Sequence, residues 1–283
     1  MEWNNTPPKT FARVNTLKTD AGKLLETWRA ENVEYDFVRR EFLGSADLPV
    51  GLDTLQHVPT DFENLVFELK SHPPLTSLAS FRDGWFYVQD PSTLPAVGKL
   101  GPQPGETVLD FCAAPGGKTT FIAQLMNNQG RIIAQDVSEE RLRLIRENCE
   151  RLGVNCVELT LPAALDPRPS TFDRVIVDAP CSNTGVMRRR VDLRWRIQPA
   201  EIERLRSEQL DLLKQAAPQV KPGGTLVYST CSLEPEENGE VVKRFLNDHA
   251  GFKLESEREL LPFADKVDGA YVARLVHTQI TSP

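Results

Sequence analysis

Thr107-Val-Leu-Asp-Phe-Cys-Ala-Ala-Pro-Gly-Gly-Lys-Thr-Thr120 is the stretch from which the rest of the chain is read. Val108 and Leu109 open an apolar run that stops at Ala113-Ala114-Pro115-Gly116-Gly117, and an amphipathic segment from Lys118 to Met126 follows. The pattern is strand, tight turn, helix. A glycine-rich turn lets a ligand approach the backbone, and a helix start offers unpaired N–H groups and a positive dipole end, so a carboxylate or phosphate is expected there. The dinucleotide fingerprint GxGxxG is not matched. A P-loop is closer: Gly117-Lys118-Thr119 closes GxxxxGK[ST] and Arg174-Val-Ile-Val-Asp178 resembles a magnesium-holding strand, but Cys112 stands where the opening glycine is needed. The third candidate is S-adenosylmethionine, its methionine end at the turn and its ribose on Asp136, which ends the run Arg131-Ile-Ile-Ala-Gln-Asp136 nineteen residues beyond Gly117. Asp136 also suits a helix N-cap ahead of Val137-Ser138-Glu139-Glu140.

Outward from this stretch, strand-like and helix-like segments alternate: strand 107–112, helix 117–127, strand 131–137, helix 138–152, strand 156–161, strand 172–179, helix 199–217, strand 225–231 and helix 235–249. That order predicts an α/β fold, a parallel sheet covered by helices on both faces, with 252–256 and 271–277 as an antiparallel edge. Ligands of such sheets lie at the carboxyl ends of the strands, where Gly116, Asp136, Asp178 and Cys231 all fall. Residues 1–78 read as a smaller α+β unit: strand Phe11–Asn15, a helix capped by Asp20 through Leu24 and Trp28, and strands Val33–Val38 and Leu65–Leu69. The paired prolines in Ser71-His-Pro-Pro-Leu75 mark the boundary. Residues 79–283 form the second domain, entered through Trp85-Phe-Tyr-Val88 and a helix ending near Leu100. Arg13 and Lys18 are expected at the surface, as solvated charges or phosphate contacts.

Three segments, Asp110-Phe-Cys-Ala-Ala-Pro-Gly-Gly-Lys-Thr119, Asp178-Ala-Pro-Cys-Ser-Asn-Thr-Gly185 and Ser229-Thr-Cys-Ser232, resemble the signature motifs of the NSUN/RsmB family of RNA (cytosine-5) methyltransferases, and the likeness extends from about Asn15 to Val276. The resemblance implies a seven-stranded, Rossmann-like S-adenosylmethionine methyltransferase domain preceded by a small RRM-like domain that helps hold RNA. It implies a cofactor pocket of Cys112, Ala113, Ala114, Pro115, Gly116, Gly117, Lys118, Asp136 and Asp178. Carbon 5 of cytosine is a poor nucleophile until a thiolate adds to carbon 6, and cysteine suits that addition. Cys181 and Cys231 both follow short apolar strands, and residue chemistry alone does not choose between them. The resemblance does: it makes Cys231 the nucleophile and Cys181 the residue that assists breakdown of the adduct. Asp178 is expected to hydrogen-bond ring nitrogen 3 or the exocyclic amine, and Lys118 to stabilise negative charge or orient the base. For Cys112, Cys149 and Cys156 the thiols are expected to be small buried hydrophobes.

Val186-Met-Arg-Arg-Arg-Val-Asp-Leu-Arg-Trp-Arg196 places five arginines directly after the second motif, so Arg188, Arg189, Arg190, Arg194 and Trp195 are the expected RNA contacts, with Trp195 stacking on a base or packing beneath the arginines. A base entering an enclosed pocket has to be unstacked first. Three departures from the family pattern stand out: no acid precedes Asp166 in the run beginning Leu159-Thr-Leu-Pro-Ala-Ala-Leu165, Asn183 replaces a small residue, and Val191 stands where proline is frequent. The missing acid supports a rival reading, a noncatalytic RNA-binding or assembly factor with a decayed cofactor site; a P-loop NTPase is the other rival.

The whole chain sets bounds. Its 283 residues, 40% apolar and 26% charged, leave room for a large core, and a net charge of −7 excludes nucleic-acid binding by bulk attraction while leaving a local basic patch able to do it. Five scattered cysteines make neither a disulfide framework nor a zinc pattern, so free thiols and no metal are expected. No run approaches the ~18 apolar residues of a membrane span, and no charged leader precedes an apolar block. The expectation is a cytoplasmic monomer whose partner is structured ribosomal RNA, or transfer RNA second.

Overall fold

The structure, a computed structural model, describes residues 5–38, 65–164 and 171–278; Asp166 lies outside them. β1 (Thr10–Val14) is buried on both faces from Phe11 onward. Asp20 accepts from the Lys23 N–H at 2.9 Å and so starts α1 (Ala21–Ala30), which turns Leu24 and Trp28 into the core one helical turn apart. After β2 (Glu34–Phe37), β3 (Val66–Ser71) and α2 (Ala79–Arg82) comes β4 (Phe86–Val88), and the four strands make an antiparallel sheet in the order β2-β3-β1-β4. β4 lies beyond the boundary expected at 78/79, so Trp85-Phe-Tyr-Val88 joins this sheet rather than leading into the larger one. The cause is long-range: Phe86 is drawn edge-on against Trp28 at 5.3 Å, and Ala12, Arg13 and Val14 pair with Val88, Tyr87 and Phe86.

The remainder runs α3 (Leu94–Leu100), β5 (Thr107–Phe111), α4 (Gly117–Leu125), β6 (Arg131–Gln135), α5 (Glu139–Leu152), β7 (Val157–Thr160), β8 (Phe172–Asp178), α6 (Leu193–Arg196), α7 (Pro199–Ala216), β9 (Val220–Thr230), α8 (Gly239–Asp248), β10 (Phe252–Leu260), α9 (Pro262–Asp265) and β11 (Ala270–His277). Among the described residues these strands form a seven-stranded sheet, β10-β11-β9-β8-β5-β6-β7, parallel except for the two pairings of β11, with β10 and with β9. That is the Rossmann-like methyltransferase arrangement. The chain moves outward from β5 to β7 and then returns to place β8 on the other side of β5, which opens a crevice between the carboxyl ends of β5 and β8. Both sheet faces are buried: Val108, Ile132, Ile176 and Val227 face one core, Leu109, Ile133, Val175 and Leu226 the other, packed by α7 and α8. The helix expected over 235–249 begins later, at Gly239, because Glu237 turns inward and Asn238 leaves helical geometry.

The first of those cores is continuous with that of the four-stranded sheet, uniting Trp28, Phe67 and Phe86 with Val97, Phe121 and Ile122. Polar contacts lock the same junction. Arg13 is buried, donating to Thr120 Oγ1 at 3.1 Å with its guanidinium over the Phe121 ring, and burial lowers its pKa to about 9. It is a packing residue, not a phosphate contact. Lys18 is spent in the same way, its ammonium donating to the carbonyls of Asp83 at 2.9 Å and Arg151 at 2.7 Å and so stabilising the negative end of α5. Asn15 Nδ2 donates to both Gly84 and Leu152 carbonyls at 2.8 Å. Gly84 has φ +73°, and a Cβ there would sit 1.8 Å from the Arg151 carbonyl oxygen. Gly84→Ala should therefore cost roughly 3 kcal/mol or more, read as a lower denaturation midpoint; a stability equal to the parent chain would contradict this account of the junction.

Candidate active site

A cleft of about 690 Å³ opens at the carboxyl ends of β5, β6, β8 and β9. It gathers Cys112, Ala114, Pro115, Lys118, Asp136, Asp178, Cys181 and Cys231 onto one surface, as their strand-end positions predict. Cys112 takes φ +62°, turning the chain out of β5 into the cleft lining; it is half-buried rather than fully buried, and burial, with the Asp136 charge adding, pushes its thiol up to about 12, so it keeps its proton. Ala113 is buried, and its N–H is held by the Gln135 carbonyl at 2.9 Å. The two glycines are needed for a reason other than ligand approach. At Gly116, φ +99°, a Cβ would press on Ile145 of α5 at 3.2 Å, and at Gly117 it would meet the Tyr87 ring of β4 at 3.1 Å. The turn is thin because protein packs behind it.

Asp136 is not the N-cap of α5. Ser138 takes that part, accepting from the Arg141 N–H at 3.3 Å. The Asp136 carboxylate instead accepts from the Ala114 and Val137 N–H groups, both at 2.8 Å, and from the half-exposed Arg141. It thereby ties the β6 end to the turn after β5. Lys118 reaches back from the first turn of α4 to Asp178 Oδ2 at 2.6 Å, while Ser229 Oγ donates to Asp178 Oδ1 at 2.8 Å. Burial alone would lower the Lys118 ammonium, but the Asp178 charge and hydrogen bond outweigh it and hold the pKa above its usual value, with Cys231 adding to the same effect.

The two cysteines meet. Their Sγ atoms are 3.2 Å apart, and the Cys231 thiol also donates to Asn183 Oδ1 at 3.0 Å. Cys181 is buried whereas Cys231 is partly exposed. The hydrogen bond to Cys231 and burial push the Cys181 thiol well above its usual value, so it keeps its proton at neutral pH. Asn183, the departure from a small residue, adopts φ +62° and donates from Nδ2 to the Cys181 carbonyl at 2.7 Å.

The basic segment divides. Arg188 is 4% exposed, its guanidinium donating to Asp268 at 2.7 Å and lying near Asp90, so it braces the interior and does not face RNA. Arg189 bridges the same two carboxylates, at 2.8 Å for Asp90, and donates to the Lys9 carbonyl. Arg190 lines the cleft rim, Arg194 donates to Asn5 Oδ1 at 2.9 Å, and Trp195 is 85% exposed rather than packed beneath its neighbours. Sequence reasoning missed Asp90 and Asp268, whose acidic character was visible but whose pairing depends on segments 80 to 180 residues apart.

The sequence model of the 16S rRNA methyltransferase RsmB/F family matches residues 97–276. The chain is 37% identical over 254 residues to the probable ribosomal RNA small subunit methyltransferase B of Bacillus subtilis, covering 87% of this chain and 51% of that protein. It is 47% identical over 186 residues to the probable protein of the same description from Synechocystis, covering 64% of this chain and 42% of that one. The chain thus spans about half the length of the curated relatives it matches. Among solved structures, a methyltransferase homolog from Pyrococcus horikoshii superposes with a TM-score of 0.78 at 31% identity, over 97% of this chain and 88% of that one. NSun6 from Pyrococcus horikoshii, solved with SFG, superposes with a TM-score of 0.77 at 26% identity, over 98% and 93%.

One carboxyl beneath the cleft makes a separate, measurable claim. Asp110 is fully buried, Thr119 Oγ1 donates to its Oδ2 at 2.6 Å, and its Oδ1 has no partner. Burial pushes its pKa from 3.8 to about 7. The folded state therefore favours the neutral acid: the stability this confers is full below pH 3.8 and is lost as the pH rises to about 7. Asp110→Asn should remove that slope and be the more stable of the two at pH 8, by an amount on the order of a few kcal/mol. Parallel stability curves for the two proteins between pH 4 and pH 8 would refute it.

Proposed function

The chain belongs to the 16S rRNA methyltransferase RsmB/F family, and from that premise we propose that it transfers a methyl group from S-adenosylmethionine to carbon 5 of a cytosine in small-subunit ribosomal RNA. The observation that carries the reading is the placement of two thiols 3.2 Å apart in the cleft that also holds the Lys118–Asp178 pair and Asp136. A P-loop enzyme has no use for that thiol pair. The donor set fits the cofactor: the Asp136 carboxylate, held by the Ala114 and Val137 N–H groups, offers an acceptor to ribose hydroxyls where half-exposed Arg141 gives up its two bonds, the N–H groups that open α4 suit a carboxylate, and the exposed Val137 on the cleft wall suits a flat apolar ring. When bound, S-adenosylmethionine supplies an electrophilic methyl group. The absent acid after β7 leaves Asp136 as the carboxylate of the pocket among the described residues on that side.

The chain's own groups perform the rest. Cys231, the more accessible sulfur, adds as the thiolate to carbon 6; the bond formed there pushes an electron pair to carbon 5, which becomes the nucleophile. Lys118, held as a cation, supplies positive charge to the site, and Asp178 retains lone pairs to accept from a protonated ring nitrogen 3 or the exocyclic amine. After methylation the carbon 5 proton passes to water, its electron pair restores the carbon 5–carbon 6 double bond, and the carbon–sulfur pair returns to Cys231, whose departing thiolate Cys181, still protonated beside it, stabilises by a hydrogen bond. Arg190 at the rim, with Arg194 and the exposed Trp195 further along the same segment, are the RNA contacts in this reading, and the four-stranded sheet is an additional surface for the same strand.

With unmodified 16S rRNA transcribed in vitro, Cys231→Ala should abolish both methyl transfer and any covalent RNA complex. Cys181→Ala should accumulate a complex that survives denaturing electrophoresis. A complex persisting in Cys231→Ala would reverse the assignment, and failure of the parent protein to bind S-adenosylmethionine saturably would favour the noncatalytic reading.

A further inference from the structure

Each cysteine of the pair is followed by a serine, and a single carboxylate holds both serines. Glu237 is fully buried. Its Oε1 accepts from the Ser182 N–H and from Gln209 Nε2, both at 2.9 Å. Its Oε2 accepts from Ser232 Oγ at 2.5 Å and from Ser182 Oγ. Gln209 Nε2 also donates to the Pro180 carbonyl at 2.9 Å, and the Tyr228 hydroxyl donates to the Glu237 carbonyl at 2.6 Å, so the anchor is itself anchored from α7 and β9. None of these partners is a cation. A carboxylate removed from water this completely persists only where donors occupy its acceptor sites, and here four do. Glu237 does not line the cleft, so it touches neither the base nor the methyl donor.

The structure assigns Glu237 the part of a positioning residue: by binding the residue after Cys181 and the residue after Cys231 with one side chain, it sets the spacing of the two thiols, the one that attacks carbon 6 and the one that assists its departure. The assignment rests on the proposed cytosine chemistry. The two cysteines leave different strands, β8 and β9, and each loop pivots at its own strand end. Catalytic geometry tolerates little of that freedom, since a misplacement of about 1 Å costs ~100-fold in rate. The network also says which substitution it tolerates. On the Oε1 side both partners are obligate donors, whereas on the Oε2 side both are hydroxyls, which rotate to accept as readily as they donate. A glutamine with its carbonyl toward Ser182 N–H and its amide toward the hydroxyls preserves every side-chain contact; an alanine preserves none of these and keeps only the Tyr228 bond to its backbone carbonyl.

The test compares E237Q, E237A and the double variant Ser182→Ala/Ser232→Ala with the parent protein, after circular dichroism and melting have shown which are folded. Three quantities are read: S-adenosylmethionine affinity, kcat on unmodified 16S rRNA transcribed in vitro, and the rate at which diamide links Cys181 to Cys231. In that last reaction the two thiols surrender two electrons and two protons to diamide, which becomes the hydrazine, and one S–S bond forms; no RNA is involved. Folded E237A should bind the cofactor as the parent does while kcat falls about 100-fold and cross-linking slows, and E237Q should stay within about threefold of the parent in all three. Where E237A does not fold, the double-serine variant serves, with kcat expected to fall about tenfold at unchanged cofactor affinity. Unchanged kcat and cross-linking in a folded E237A or double-serine variant, or an E237Q as slow as E237A, overturns the assignment. If the parent protein itself fails to methylate RNA, the functional reading fails, and the cross-linking rates still decide the role of Glu237.

Discussion

Lys118 and Asp178 meet at 2.6 Å across the one gap in the sheet where neighbouring strands lead their chains in opposite directions, and the rest of the site is arranged about that pair. Lys118 comes from the helix after β5 and Asp178 from the end of β8, so the pair exists only once these two strands lie side by side. Its stability is set by surroundings. In water such a pair contributes little; here the lysine is largely screened from solvent and its cationic form is held by its partner. On one side of it lie the turn and Asp136, on the other the two sulfurs.

The layers behind this site explain why its loops are short of freedom. Gly116 and Gly117 carry no side chain because α5 and β4 press on them, Asp136 stitches the β6 end to the turn, and Glu237 stitches the two cysteine loops together. Asp90, Arg188, Arg189 and Asp268 close the opposite wall with a buried ionic cluster that draws on three distant segments. Removing any one member would leave an uncompensated charge in low dielectric.

Much of this was legible in the residues. The alternation of period-two and period-3.6 segments gave the sheet and its helices to within a residue or two at most ends, because parallel strands buried on both faces and capped helices leave strong local signals. The strand-end positions of Asp136, Asp178, Cys181 and Cys231 likewise followed from order alone. What local pattern does not encode is partner choice. Phe86 looked like the start of a new domain because the stack on Trp28 that claims it lies far away in sequence, and Arg13 and Arg188 looked like surface charges because their partners, Thr120 and Asp268, are 107 and 80 residues distant. Glu237, inside the helix expected over 235–249, drew no notice for the same reason, since Ser182 lies 55 residues away.

The shared core of the two sheets bears on how the protein can be dissected. A fragment begun at residue 97, where the match to the family's sequence model begins, would strip Trp28, Phe67 and Phe86 from the face that carries Phe121 and Ile122 and leave a broad oily surface open to solvent. Such a truncation invites clumping rather than a tidy minimal enzyme. The leading four-stranded layer is thus half of a wall, to be expressed together with what stands behind it.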